Sequence, residues 1–125
     1  MGGGPGKPAR MQSNAKRTLV KSAPELWELA DDPERMQSWM GGLVGAGQPV
    51  AVEVTTREPG RVLAWRAADS QAGGRISLEL AESGFGTAVG ITAEHSLPDP
   101  GAASAALEDL LDELGSPERR PFAAA

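Results

Sequence analysis

Cysteine and tyrosine are absent from the 125 residues, and the aromatic side chains number only three Trp and two Phe. Without cysteine there is no disulfide scaffold and no thiolate metal site. A single histidine, His95, leaves a transition-metal centre without its usual ligands, so no cofactor or metal is expected. No apolar run reaches the roughly eighteen residues of a membrane span. The N-terminus has no apolar stretch of the secretory kind. Acidic residues are missing from the first 21 positions, which carry Lys7, Arg10, Lys16, Arg17 and Lys21; the rest holds seven basic and seventeen acidic residues. A folded part that negative repels phosphate, which speaks against nucleic-acid binding. The expectation is a cytoplasmic protein with one domain.

What is present falls into ordered blocks. Residues 1–14, "MGGGPGKPARMQSN", are rich in Gly and Pro without apolar periodicity and read as a disordered tail. The domain is expected over 15–122. "GPGKP" lacks the strand, the Ser or Thr and the helix of a phosphate loop. "KRTLVKS" reads as a first strand. Ser22 and Glu25 then form a capping box with Pro24 in the first turn. Asp32-Pro33 opens a second helix with an N-cap and a Pro at its first position. Met36, Trp39 and Met40 share its apolar face. "MGGLVGAGQP" reads as a flexible connection, since a strand rather than a helix follows its glycines.

Four segments then alternate with period two. Their inward sets are Val50, Val52, Val54; Leu63, Trp65, Ala67; Ile76, Leu78, Leu80; and Val89, Ile91, Ala93, His95, Leu97. One-faced alternation predicts an antiparallel sheet with one wet side. The "SGFG" hairpin predicts Leu80 opposite Val89 and Leu78 opposite Ile91. Pro59-Gly60 predicts Trp65 opposite Val54 and Leu63 opposite Thr56, with a bulge near Pro59 able to shift that register. Arg66 and Arg75 point outward, toward Glu53 or Glu79. Last comes a helix capped by Asp99, starting at Pro100 and ending at Gly115. Its apolar stripe is Ala103, Leu107, Leu110, Leu111 and Leu114, and Glu108, Asp109, Asp112 and Glu113 read as its solvated side. Phe122 beyond it is a candidate anchor.

"SAPELWELADDPERMQSW", "TTREPGRVLAWRA" and "LAESGFGTAVGITAE" together resemble the START-like, polyketide-cyclase superfamily (SRPBCC) from about Arg17 to Leu114. The resemblance implies an α+β helix-grip fold: a curved antiparallel sheet wrapped on a long C-terminal helix, with two short helices after the first strand. Members usually carry two more strands where only "MGGLVGAGQP" stands here, so a sheet of about five strands is expected. The resemblance implies binding of a small apolar or amphipathic molecule between sheet and last helix. Candidate lining residues are Trp39, Val54, Trp65, Leu78, Ile91, His95, Leu107 and Leu111. A protein partner is the alternative, as in the superfamily's heat-shock-protein ATPase activators, and a cyclase-like enzyme ranks third. His95 is the sole histidine available as a base, its bland reading is a strand-end residue partly open to solvent, and no G-x-S-x-G elbow accompanies it. No catalytic residue is assigned.

Overall fold

The computed structural model describes residues 11–69, 73–84, 86–95 and 100–115. The element order is β1 (Met11–Leu19), α1 (Ala23–Ala30), α2 (Pro33–Val44), β2 (Val52–Glu58), β3 (Val62–Ala67), β4 (Arg75–Ser83), β5 (Gly86–His95) and α3 (Pro100–Gly115). The five strands form one antiparallel, curved sheet in the order β1-β5-β4-β3-β2. This is the helix-grip α+β fold. Its core lies between the inner face of the sheet and the three helices.

The short helices start where their caps predict. The Ser22 hydroxyl accepts from the Glu25 amide at 3.3 Å, and an Asp32 carboxylate oxygen accepts from the Glu34 amide at 3.0 Å. Leu26 and Ala30 of α1 and Met36, Trp39, Met40 and Leu43 of α2 are buried. Helices of eight and twelve residues are too short to persist alone, and this apolar face is what holds them. The connection expected from Met40 on is instead helical as far as Val44, and the turn begins at Gly45, which is left-handed at φ 71°. Burial of Leu43 offsets the poor helix propensity of Gly41 and Gly42. Glycine at 41 has its own cause, because a Cβ there would overlap the Gln48 carbonyl oxygen.

The first strand also differs from expectation. It starts at Met11 rather than Lys16, so Met11–Asn14, within the expected tail, belong to the sheet. The cause is tertiary: these four residues pair with His95 through Thr92 of β5, which supplies the ladder that local sequence does not announce. Residues 1–10, the Asp99 cap, Leu97 and Phe122 lie outside the described residues.

The β4–β5 register is as expected, with Leu80 opposite Val89 and Leu78 opposite Ile91. In β2–β3, Val54 faces Trp65, but the register shifts between Val54 and Thr56, so Leu63 faces Arg57 instead of Thr56. The extra residue is Thr55. A bulge changes which side chain looks inward. Here it puts Arg57 on the helix side, where it donates to Asp31, between α1 and α2, at 3.0 Å. β2 is also an edge, so Val54, though inward by parity, stays 37% exposed.

Candidate functional site

Of the eight lining candidates, six come together. Trp65 and Leu78 of the sheet and Leu111 of α3 are fully buried; Ile91, Leu107 and Trp39 are nearly so, and all six belong to one core cluster. His95 is likewise fully buried at the end of β5, which corrects the expectation of a partly solvated histidine. Val54 stands apart on the β2 edge. It is exposed because no strand covers it.

α3 closes this layer. Ala103, Leu107, Leu110, Leu111 and Leu114 are buried, and each of the four leucines contributes about 1.5–3 kcal/mol by burial. Polar contacts then orient the helix. Arg17 of β1 donates to Asp112 at 2.7 Å and also to Glu108. From the other flank Arg35 donates to Glu113 at 3.0 Å, and Trp39 Nε1 donates to the same carboxylate at 2.9 Å. Three of the four carboxylates read as a solvated face are therefore anchored. The Asp112 and Glu108 carboxylates hold the Arg17 guanidinium pKa above its ordinary value, the hydrogen bond to Asp112 contributing most. Arg17 meets α3 at residues 108 and 112, and Leu19 packs near Gly115. The helix thus runs alongside β1 in the same direction, with its first turns toward Met11, Ser13 and His95.

Trp39 and Trp65 stack obliquely, with centroids 6.0 Å apart and planes tilted by 36°, a separation favourable for aromatic pairs. Trp65 Nε1 is buried and, among the described residues, has no hydrogen-bond partner. The same is true of His95 Nδ1. The other ring nitrogen, Nε2, lies 2.9 Å from Ser13 Oγ. With its proton on Nε2 the ring donates to Ser13; with its proton on Nδ1 the ring accepts from the Ser13 hydroxyl. Ser13 escaped sequence reasoning because it stood in the presumed tail.

Three clefts bounded by described residues lie elsewhere. One of about 600 Å³ sits at the opposite end of β5, between the Val20–Pro24 turn and residues 82–87. One of about 360 Å³ lies on the outer face of the sheet over Gly90. One of about 290 Å³ adjoins Gly42, Gln48 and Pro49. Among the described residues no helix is long and apolar enough to cross a membrane.

A layer of antiparallel strands with its last helix gripped across the inner face defines a helix-grip protein. Solved structures of that shape match most of the chain. A protein from Chromobacterium violaceum matches with a TM-score of 0.63 at 16% identity, over 86% of this chain and 98% of its own. The Aha1 dimer from Colwellia psychrerythraea matches at 0.59 and 18%, over 84% and 96%. The AHSA1-like protein from Aeromonas hydrophila matches at 0.61 and 14%, over 84% and 90%. At such identities the likeness is one of fold. No family model matches the chain, and no curated protein matches it by sequence.

Proposed function

We propose that the protein is an SRPBCC-type binding module without chemistry of its own, taking a small, largely apolar guest between the inner sheet face and α3. One observation carries the reading: Trp65 Nε1 and His95 Nδ1 are buried on that face without partners among the described residues. An unmade buried hydrogen bond costs about 1–3 kcal/mol, and natural structures keep such atoms where a bound molecule or water completes them. The surrounding Ala67, Ala93 and Ala103 are small and buried. The guest suited to this surface is neutral, because no charged side chain among these residues faces it and a buried charge without a partner is strongly disfavoured.

Trp39 and Trp65 report directly on the site. Titration with neutral quinones and aromatic polyketides is expected to change tryptophan emission, and fatty-acid anions are expected to bind more weakly. The response should fall in His95→Leu. A folded sample that responds to no member of the panel overturns the reading.

Protein recognition is the second reading, favoured by Val54, an exposed apolar side chain on the unpaired β2 edge. It follows the heat-shock-protein ATPase activators of the superfamily. Stimulation of such an ATPase that Val54→Glu abolishes supports it, and absence of stimulation counts against it.

A further inference from the structure

Gly90 sits in the middle of β5, on the outer face of the sheet. Its φ is not positive, and a Cβ built on it would meet nothing within 4 Å among the described residues. Neither the chain path nor packing among the described residues calls for glycine there, although glycine weakens a strand interior. Its effect is to leave a depression of about 360 Å³, lined by Asn14, Lys16, Glu79 and Thr92 around Gly90. Lys16 of β1 and Glu79 of β4 are the direct cross-strand partners of Gly90. They therefore flank it at the same level, about 10 Å apart, which is two strand spacings. Both are exposed. Neither forms an ion pair among the described residues.

We propose that this outer face is the contact between two copies of the chain, related by a two-fold axis running along β5 above Gly90. Such an axis exchanges the two sides of β5 and keeps the level along the strand. Lys16 of each copy then lies over Glu79 of the other, giving two equivalent opposite-charge pairs, as an isologous interface requires. One level along, Asn14 lies over Ser77, since both are partners of Thr92. On the axis itself Ala88, Gly90 and Thr92 meet their own copies, and these side chains are small enough for two sheets to pack at about 10 Å. A two-fold axis across the strands is rejected by charge, because it puts Lys16 over Lys16 and Glu79 over Glu79. Glu94 also falls near the axis, but about 13 Å further along. There the twist of packed sheets opens a gap, and Arg75 stands opposite Glu94 on the neighbouring strand.

Sedimentation velocity and light scattering across a wide concentration series test this. The wild type is expected to show a reversible monomer–dimer equilibrium that added salt weakens. Lys16→Glu, or Glu79→Lys, turns both attractive pairs into repulsive ones and should weaken association by about tenfold or more. The double variant Lys16→Glu with Glu79→Lys restores opposite charges across the axis and should recover wild-type association. A wild type that stays monomeric throughout overturns the proposal. So does a dimer that either single reversal leaves intact, or a double variant as weak as the singles.

Discussion

Ser13 and His95 show how a single contact changes the meaning of a residue. Ser13 is half-buried on an edge strand, and its hydroxyl is the partner of one nitrogen of a fully buried ring whose other nitrogen has none among the described residues. Ser13→Ala leaves both nitrogens without a side-chain partner among the described residues. The expected loss is about 1–2 kcal/mol in urea unfolding. An unchanged midpoint would show that water already serves Nε2. At Gly86 the constraint is the backbone. A Cβ there would overlap the Leu19 carbonyl oxygen on the neighbouring strand, so Gly86→Ala must move β1 or β5. A loss of more than about 2 kcal/mol is expected, the range reached when a close backbone approach is broken.

At the scale of elements, α3 is held by a leucine stripe and aimed by charges. Leu110 and Leu111 are buried at the centre of that stripe. Either one changed to Ala is expected to lower stability by about 2–5 kcal/mol, read by denaturant unfolding, and a value near zero at both would mean that the helix does not rest on the sheet. The β2 bulge has a similar aiming role. By inserting Thr55 it turns Arg57 toward Asp31 and interrupts the regular edge. A charged, bulged edge resists strand-to-strand pairing. β1 carries no such interruption over its nine paired residues.

For the whole molecule, β1 ties the sheet to the last helix through Arg17. Because the Arg17 pKa is raised in the folded state, its contribution is complete below the unfolded value. It is lost only as pH climbs through the still higher folded value, beyond the working range. The melting-temperature difference between wild type and Arg17→Ala should therefore be the same at about pH 7 and about pH 10. Salt should shrink it. A difference that vanishes by the higher pH would remove Arg17 as the anchor. The same strand predicts where truncation begins to hurt. Deleting residues 1–14 removes Met11–Asn14 from the β1–β5 ladder and Ser13 from His95. The melting temperature should fall by several degrees, on the scale of about 4–8 °C per kcal/mol for a domain of this size.

The elements that local chemistry specifies were legible in the chain. Caps at Ser22 and Asp32, the alternation from Leu63 to His95, the "SGFG" register and the leucines of the last helix each lie within a short stretch and need no distant partner to be recognised. Burial of Trp39, Trp65, Leu78, Ile91, Leu107 and Leu111 followed from those patterns. What tertiary structure alone decided involved partners far apart in sequence. Met11–Asn14 are strand because β5 offers them hydrogen bonds across some eighty positions. The helix continues through Gly41 and Gly42 because Leu43 finds the core. Thr55 bulges and sends Arg57 to Asp31. Val54 is exposed because the sheet ends there, although its parity matches the core. Glu108, Asp112 and Glu113 are exposed as expected, but they are also anchored, because Arg17 and Arg35 arrive from other elements. Periodicity reports which face a side chain shares, a property of the backbone repeat; what stands opposite that face is set by where the rest of the chain comes to lie.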